Sequence, residues 1–436
     1  MADAGAARGG VAQARARRVG WRRRRGRRSV IDVSAIVVNY NTGQYLQTLV
    51  DGLRRERLTR RDGGPAALEI VVVENCSPSD QEQFLRPLEA QGVVVVRSPV
   101  NGGFGGGCNL GTRHARGRHL LYLNPDILIV PGAVQALSDH LDAHPRCGQC
   151  GPRGWYDAHR FFYLPRIELP SLAMHFAEAW RRTSRKRAAK FALRRAKNAL
   201  RIWSADHEQE EPVLAGYGFM MPAPFARELG PFDETFPLYY EDSDLSRRVR
   251  EAGRDVTLVP GSEMVHLYNK SAGQFAEEAM RKHDISLQRY FDKHYGAVGG
   301  ALGKAISGWI RRNPTRNGAH EFSAWTDLGE IDEPPAFAVR GAPPGSSPRY
   351  VVEMTADPLY SLAVGRIDDR ATFTIPKGTW DHFDPIWLHL RILSLPDLVP
   401  LGSWRMKKKS GAIHIGSDRE FLARLADSHL PLAGPA

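Results

Sequence analysis

Short runs of branched apolar residues alternate with helix-length segments over the first third of the chain. Three of these runs span residues 33–38, 69–73 and 120–123. They are too short for buried helices and end at polar residues or proline, so they indicate strands that are covered on both faces. Neighbouring parallel strands need a crossover, and the intervening segments are long enough to contain a helix. The sequence therefore predicts an α/β fold of three layers with a mostly parallel central sheet.

One acidic residue directly follows the third of these strands. Pro125 cannot donate to a strand ladder, so it ends the strand and places Asp126 just beyond it. Ligands of open α/β sheets bind outside the carboxyl ends of the strands, and a carboxylate there can hold a hard divalent cation. An aspartate in a turn is the simpler alternative, and the local pattern leaves both open.

A glycine-rich segment precedes the same strand. Five glycines lie between residues 102 and 107, ahead of a predicted helix that ends near Ala115. Their spacing is not that of a dinucleotide-binding loop, and no Lys-Ser or Lys-Thr pair follows as in a P-loop. The segment would allow backbone N–H groups to approach an anion or a sugar. A flexible loop is an equal alternative.

Length and composition limit the class of protein. A chain of 436 residues can hold two domains, or one large domain with an appendage. It contains no apolar run near the roughly 20 residues that span a bilayer, and no apolar segment follows the Arg-rich start as in a secretory signal. Four cysteines do not suggest a disulfide framework, so we expect a reducing, cytoplasmic compartment.

The net charge of +12 is unevenly distributed. Residues 1–30 and residues 174–203 each carry a charge of +9, so the remainder of the chain is mildly acidic. In the second segment, Trp and Phe interleave with Arg and Lys, which is typical of a helix lying on an anionic membrane. Solvated segments without a partner are the alternative in both cases.

A second acidic cluster lies further along the chain. Glu241, Asp242 and Asp244 open a predicted helix. The helix dipole favours acidic residues in a first turn, so we expect at least one of the three to have that structural role alone. A preceding strand contains Gly216 and Gly218, where a ligand can approach the backbone closely.

These observations divide the chain into four parts. Residues 1–30 are Arg-rich and predict a disordered basic tail. Residues 31–298 form the predicted α/β domain, with a basic helical insertion at 172–205. Pro and Gly predict a linker over 299–349, and short β-branched or aromatic runs predict a small β-rich module over 350–436.

Seven motifs occur in an order seen in one known family. They are Val-Asn-Tyr-Asn at 38–41, Val-Glu-Asn at 73–75, Asn-Gly-Gly-Phe-Gly from 101, Asn-Pro-Asp at 124–126, Phe-Asp-Glu at 232–234, Tyr-Glu-Asp-Ser-Asp-Leu at 240–245, and His266. In these motifs the chain resembles family 2 glycosyltransferases of the GT-A fold. The closest resemblance is to bacterial rhamnosyltransferase-like enzymes of cell-surface polysaccharide synthesis, over roughly residues 33–295.

The resemblance implies a binding pocket for a nucleoside-diphosphate sugar at the strand ends. Its implied residues are Asn39, Asn41, Glu74, Asn75, Asn101, Gly102, Gly103, Asn124 and Lys270. An acidic residue at position 74 can accept from a base N–H or a ribose hydroxyl.

The resemblance also implies the reaction chemistry. Asp126 and His266 would hold a divalent cation, Mg²⁺ or Mn²⁺, which neutralises the departing diphosphate. Inverting transfer needs a general base near the acceptor hydroxyl. Asp242 is the implied base, and Glu241 is the supporting acid.

The predicted function is therefore inverting transfer of a sugar, with rhamnose as one candidate, to a saccharide or polyprenyl-linked acceptor. The predicted location is cytoplasmic, with peripheral attachment to the inner face of the cell membrane. A sugar nucleotidyltransferase is an alternative, but it would need a Gly-rich loop with Arg and Lys after the first strand, where Asn39-Tyr40-Asn41-Thr42 stands. A non-enzymatic basic protein that binds a membrane or nucleic acid is another. Nucleic acid is not expected, because the basic segments lie outside the acidic body.

Overall fold

The computed structural model describes residues 31–267, 276–313, 325–339, 349–370 and 372–409. Several predicted features lie outside these residues, namely the basic tail 1–30, Lys270, parts of the linker 299–349, and the end of the β-rich module beyond residue 409.

A sheet of nine strands forms the centre of residues 31–267. Its strands are β1 (Val33–Asn39), β2 (Leu68–Glu74), β3 (Val94–Arg97), β4 (His119–Leu123), β5 (Ile127–Ile129), β6 (Cys147–Trp155), β7 (Gln209–Glu210), β8 (Gly218–Pro222) and β9 (Asp255–His266). Their order is β3-β2-β1-β4-β8-β6-β9-β5, and β7 pairs with β9. All except β5, β7 and β8 run in one direction. The predicted mostly parallel sheet is confirmed.

Helices cover both faces of this sheet, which confirms the three layers. The helices described up to residue 312, of which six form these layers, are α1 (Gly43–Arg55), α2 (Glu82–Ala90), α3 (Gly103–His114), α4 (Ala133–Ala143), α5 (Leu172–Arg181), α6 (Arg185–Trp203), α7 (Ala223–Leu229), α8 (Glu241–Glu251) and α9 (Ala276–Arg312). Helices α1, α2 and α4 share one apolar core with Val33, Ala35 and Val37 of β1. Helices α3, α7 and α8 share the other core with Ile36 and Val38. Alternate residues of β1 therefore face opposite cores, as the period of a strand requires.

The glycine-rich segment belongs to helix α3 and not to a loop. A Cβ atom at Gly107 would lie 2.6 Å from Val38 Cγ1, and one at Gly111 would lie 2.4 Å from Ile36 Cγ2. Real Cβ atoms do not approach that closely, because protein interiors are already close-packed. The glycines therefore allow α3 to pack directly on β1, which the prediction of a flexible loop did not include.

The predicted basic insertion folds as two helices, α5 and α6, separated by residues 182–184. Ser171 caps α5 by accepting a hydrogen bond from the N–H of Met174 at 3.1 Å. Ile202 and Trp203, two apolar residues at the end of this basic segment, are buried. The Nε1 atom of Trp203 donates to the carbonyl oxygen of Leu164 at 3.0 Å. These two side chains therefore belong to the protein interior.

The predicted C-terminal β module is confirmed in the described residues. Its elements are β10 (Thr326–Ile331), β11 (Ala336–Ala338), β12 (Tyr350–Thr355), β13 (Val364–Asp368), β14 (Thr372–Thr374), α10 (Lys377–His382), β15 (Trp387–Ser394) and β16 (Pro400–Lys408). Five strands form one sheet in the order β10-β16-β15-β12-β13, and β11 pairs with β14. Strands β10 and β11 lie within the residues that were predicted as linker.

The linker prediction also differs from the structure at its start. Helix α9 runs to Arg312, so residues 299–312 are helical. The helix is interrupted at Gly296, whose φ of 65° is outside the helical range. Within the described residues, no helix is both long enough and apolar enough to cross a membrane.

Helix α6 packs on the C-terminal sheet through a buried charge cluster. The Nε atom of Arg391 donates to Glu353 Oε2 at 2.7 Å, and Arg195 forms an ion pair with the same carboxylate. All three side chains are buried. A buried carboxylate between two guanidinium groups compensates their charge, so this contact fixes α6 against the sheet.

Candidate active site

The first two strands end side by side and bring their polar end residues together. Asn39 and Glu74 are register partners in the parallel pair β1–β2, and the Asn39 Nδ2 atom donates to Glu74 Oε2. The hydroxyl of Thr42 donates to Asn39 Oδ1 at 2.9 Å. The N–H of Gly43 donates to Gln81 Oε1 at 3.0 Å. These bonds hold the start of α1 against the end of β2.

Asn41 extends this hydrogen-bonded cluster. It has a φ of 59°, in the left-handed region that asparagine tolerates. Its N–H donates to Ser77 Oγ at 2.9 Å, and its Oδ1 accepts from Gln81 Nε2 at 3.3 Å and from the hydroxyl of Ser79. The predicted donor-site residues at 39, 41 and 74 therefore lie in one cluster.

Asn75 connects the cluster to the start of helix α3. Its side chain is buried, and its Nδ2 donates to Asn101 Oδ1 at 3.2 Å and to the Gly103 carbonyl at 2.9 Å. Its Oδ1 accepts from the N–H of Gly102 at 3.2 Å. Gly103 has a φ of 69°, and a Cβ atom there would lie 3.0 Å from the Pro237 carbonyl oxygen. Glycine is therefore needed where the chain enters α3.

The candidate metal ligands meet at the end of β4. Strand β5 pairs with β9 so that Ile127 lies opposite His266. His266 Nε2 is 3.4 Å from Asp126 Oδ1 and 3.3 Å from Asn124 Nδ2. The Tyr217 ring stacks on the imidazole, with 5.3 Å between centroids and an interplanar angle of 22°. The structure thus brings His266 to Asn124 and Asp126, which lie about 140 residues earlier in the chain.

The distance between Asp126 and His266 suits a shared divalent cation. Adjacent ligands of an octahedral Mg²⁺ or Mn²⁺ lie about 3 Å apart when each is about 2.1 Å from the metal. The observed 3.4 Å is close to this value. Among the described residues, no group of three or more His, Cys, Asp or Glu side chains converges on one point. Water and diphosphate oxygens would therefore complete the coordination, as is usual for Mg²⁺.

Asp242 lies in the first turn of α8, beside the turn at residues 216–217 that precedes β8. Its Oδ2 accepts from the N–H of Gly216 at 3.0 Å, and its Oδ1 accepts from the N–H of Ser243 at 2.6 Å. Burial raises the pKa of Asp242, although these hydrogen bonds oppose the rise. Because the N–H of Asn124 donates to the Tyr217 carbonyl at 2.9 Å, the backbone of 216–217 joins Asp242 to the Asp126–His266 pair.

Glu241 is the neighbouring acid and lies deeper in the protein. Burial, reinforced by the negative charge of Asp242, raises the pKa of Glu241 to about 8. Its Oε2 atom is buried and has no hydrogen-bond partner among the described residues. Burial and the adjacent Asp242 charge therefore both favour the protonated form of Glu241.

A cleft opens next to Gly216 and Tyr217. It encloses about 530 Å³ of space that includes its open mouth. Its walls are mostly apolar, and its lining includes Leu164, Trp203, Leu214, Arg153 and Arg166. A ligand in this cleft would lie beside the backbone that holds Asp242.

The sequence was compared with models of known families, and residues 34–200 match the model of glycosyl transferase family 2. Over these residues the chain is similar to family 2 glycosyltransferases. The match includes Asp126 and the predicted donor-site residues from Asn39 to Asn124. Asp242 and His266 lie beyond it.

Two relatives match part of this chain. An N-acetylglucosaminyl-diphospho-decaprenol L-rhamnosyltransferase of Mycobacterium tuberculosis is 27% identical over 191 residues, which are 41% of this chain and 56% of the relative. The minor teichoic acid biosynthesis protein GgaB of Bacillus subtilis is 24% identical over 115 residues, 26% of this chain and 12% of the relative. The chain thus spans about half of the first relative and a small part of the second.

The chain also has some likeness to solved structures. GalNAc-T7 with UDP, GalNAc and Mn²⁺ has a TM-score of 0.41 at 15% identity, with 66% of this chain and 55% of that chain covered. The mannosyltransferase PcManGT of Pyrobaculum calidifontis with GDP-Man and Mn²⁺ has a TM-score of 0.37 at 15% identity, with 65% and 75% covered.

Helix α8 is held in place by contacts with α9 that the sequence did not indicate. Asp244 is completely buried, and it lies 2.8 Å from His294 Nε2, 2.7 Å from Lys293 Nζ and 2.7 Å from Arg248 Nε. Burial would raise the pKa of Asp244, but hydrogen bonds from His294 and Lys293 and the charge of Arg248 lower it to about 2. Asp244 therefore anchors α8 to α9.

The residues just before α8 have an unusual backbone. Tyr239 and Tyr240 have φ values of 66° and 64°, which cost energy for a residue with a side chain. The Tyr240 hydroxyl is 2.9 Å from His283 Nε2, a contact with helix α9. Two aromatic residues in this conformation are not recognisable from sequence, since glycine or asparagine is the usual signal.

Proposed function

We propose that the chain is an inverting glycosyltransferase, which moves a sugar from a nucleoside-diphosphate donor to a saccharide or lipid-linked acceptor in cell-surface polysaccharide synthesis. The family 2 domain at residues 34–200 supports glycosyl transfer. The name of the Mycobacterium tuberculosis relative, an L-rhamnosyltransferase that acts on a decaprenol-linked sugar, supports rhamnose as the sugar and a polyprenyl-linked acceptor.

One observation carries this proposal. The proposed cation ligands, Asp126 and His266, lie at the same edge of the sheet as Asp242, a partly buried carboxylate that can accept a proton. Diphosphate departure needs positive charge, and attack by a hydroxyl needs a base. The segment 216–217 contacts both groups, so donor and acceptor would meet there.

The donor would bind along the ends of β1, β2 and β4. The amide and carboxylate groups of Asn39, Asn41, Glu74 and Asn75 are held by their neighbours before any ligand arrives, so less side-chain ordering is needed on binding. Glu74 would accept from the base or the ribose. The donor site would also include Asn101, Gly102, Gly103 and Asn124. Lys270 lies outside the described residues.

A divalent cation would be held by Asp126 and His266. Mg²⁺ or Mn²⁺ in this position supplies a Lewis acid that stabilises charge on the diphosphate. Asn124 would stand beside this pair, with its amide 3.3 Å from His266 Nε2.

Asp242 would take the proton from the acceptor hydroxyl. Burial raises its pKa and so makes it a stronger base, while the N–H groups of Gly216 and Ser243 hold it in place. Glu241, with its pKa of about 8, stays protonated at neutral pH and adds no competing negative charge. The apolar cleft beside Tyr217 would receive the acceptor.

The experiment begins with a thermal-shift screen of nucleoside-diphosphate sugars with and without Mn²⁺, because a bound ligand raises folded-state stability. The donor that is found is then used in a transfer assay with saccharide and polyprenyl-linked acceptors. Asp242→Asn should lower turnover at least ~10²-fold and leave donor affinity nearly unchanged, since it removes basicity alone. Asp206→Asn, at a fully exposed aspartate, is the matched control.

Two outcomes would contradict the proposal. If Asp242→Asn turned over at the wild-type rate, Asp242 would not be the base. If the screen found binding of a nucleoside triphosphate together with a sugar phosphate, and the products included pyrophosphate, the chain would be a nucleotidyltransferase.

A further inference from the structure

The charged side chains that helix α6 exposes to the solvent are all positive. Seven of its eight Lys and Arg side chains are exposed, and the helix contains no acidic residue. The exposed residues are Arg185, Lys186, Arg187, Lys190, Arg194, Lys197 and Arg201. Only Arg201 of these forms an ion pair with a described residue, Glu211. The other six positive charges have no such counter-charge, and their mutual repulsion is unfavourable in isolation.

The neighbouring helix α5 exposes two large aromatic side chains. Phe176 is 60% exposed and Trp180 is 52% exposed. The guanidinium of Arg187 lies 4.4 Å from the centroid of the Trp180 ring, so the aromatic and cationic groups form one continuous surface. We call this surface, made of Phe176, Trp180 and the exposed basic side chains of α6, the α5–α6 surface.

The other side of α6 is packed against the protein, so the side that carries the exposed cations faces the solvent. Ala188, Ala192, Ala196 and Ala199 are buried, and Arg195 is paired with Glu353 of the C-terminal sheet. The opposite side of the helix, which carries the cations, is therefore held outward. A surface whose cations are held apart without counter-charges is complementary to a dense layer of negative charge.

We propose that the α5–α6 surface docks on an anionic phospholipid bilayer. Clustered Lys and Arg side chains are attracted to acidic headgroups, and Trp and Phe favour the boundary between headgroups and acyl chains. A nucleic acid would satisfy the cations as well. The exposed Phe176 and Trp180 favour the bilayer, because only a bilayer offers an apolar layer beneath its charges. The proposal does not depend on the transfer reaction.

The test measures binding of the full chain to sedimenting vesicles of phosphatidylglycerol and phosphatidylcholine, with pure phosphatidylcholine vesicles and duplex DNA as the other arms. Lys186→Gln/Arg187→Gln/Lys190→Gln should weaken binding to the anionic vesicles at least ~10-fold. Arg55→Gln/Arg57→Gln/Arg61→Gln, at three exposed arginines elsewhere, removes the same charge and should change binding little.

The aromatic part of the surface has its own test. Phe176→Ser/Trp180→Ser should weaken vesicle binding severalfold, since the apolar contribution is lost. Trp387→Ala is the control, because Trp387 is also exposed beside an arginine, with Arg405 5.2 Å from its ring, but lies on the C-terminal sheet. Circular dichroism checks that each variant is folded.

Three results would overturn the proposal. One is equal loss of vesicle binding in the two charge-removal variants, which would show that overall charge alone matters. Another is equally tight binding to pure phosphatidylcholine. The third is tighter binding to DNA than to anionic vesicles, with the α6 variant affecting DNA binding alone.

Discussion

His294 Nε2 lies 2.8 Å from Asp244 Oδ1, although the two residues belong to different helices. Asp244 is two residues after Asp242 in α8, and His294 lies in α9. The contact therefore fixes the helix that carries the proposed base to helix α9. The position of Asp242 depends on packing by α9 as well as on its own strand-end neighbours.

The first prediction concerns the strength of this contact. A double-mutant cycle of Asp244→Ala and His294→Ala should give a coupling energy of at least ~1 kcal/mol, because the pair is buried. Urea denaturation of the four proteins measures it. The exposed pair Arg247–Glu251 on the same helix should couple by only ~0.3–0.5 kcal/mol. Equal coupling in both pairs would contradict the anchoring role.

This contact also has a pH dependence. The pKa of Asp244 falls from 3.8 to about 2 on folding. Its contribution to the free energy of unfolding is therefore fully present above pH 3.8 and is lost as the pH falls towards 2.

The second prediction concerns Glu241, whose pKa rises from 4.5 to about 8 on folding. Between these values the folded state binds one more proton than the unfolded state, so this residue makes stability fall as pH rises. Glu241→Gln should remove that fall. The free energy of unfolding of the variant, relative to that of wild type, should rise by more than ~1 kcal/mol between pH 5 and pH 9, because one pKa unit corresponds to about 1.4 kcal/mol. Thermal denaturation at both pH values checks it.

The control for this prediction is Glu251→Gln, at an exposed residue of the same helix. It should keep the wild-type dependence of stability on pH. If Glu241→Gln kept it too, Glu241 would be ionised in the folded protein at neutral pH.

The third prediction concerns the cation. Asp126→Ala should weaken Mn²⁺-dependent donor binding at least ~10-fold. Mutation of a residue that contacts a metal only indirectly can already cause a loss of this size. In the presence of EDTA, wild type and variant should bind the donor with similar affinity. Isothermal titration calorimetry with the donor from the screen measures both. Asp206→Ala is the control, and an unchanged Mn²⁺ effect in Asp126→Ala would exclude Asp126 as a ligand.

The fourth prediction concerns the attachment of α6 to the C-terminal sheet. Glu353→Gln leaves the buried guanidinium groups of Arg195 and Arg391 without their counter-charge, which should cost ~3–5 kcal/mol of unfolding free energy. Glu330→Gln breaks an exposed pair with Lys407 in the same sheet and should cost less than ~1 kcal/mol. Urea denaturation compares them, and equal costs would mean that the cluster does not hold the two parts together.

Local patterns were enough to predict the sheet and part of the site. The β1 and β2 runs are apolar at consecutive positions, which is the pattern of strands between two layers, and the parallel pairing then aligns Asn39 with Glu74. The meeting of Asp126 with His266 came instead from the resemblance to family 2 glycosyltransferases. Nothing local in either segment indicates that β5 and β9 pair.

Other features escaped prediction for identifiable reasons. The glycines of α3 have no side chains to show helical periodicity, so a loop was as good an explanation until their contact with β1 was visible. Residues 299–312 contain several glycines and end next to a proline-containing segment, and yet they are helical because they pack against α5, where His175 lies 2.8 Å from Ser307.

The three layers, the central sheet and the acids at its edge could be predicted from the order of apolar runs and polar strand ends. These features depend on residues that are close in sequence. The roles of those acids were assigned by long-range packing. Helix α9 makes Asp244 an anchor, burial keeps the proton on Glu241, and the segment 216–217 holds Asp242 for the acceptor. A carboxyl group has the same side chain in each place, and its chemistry differs because its neighbours and its access to water differ.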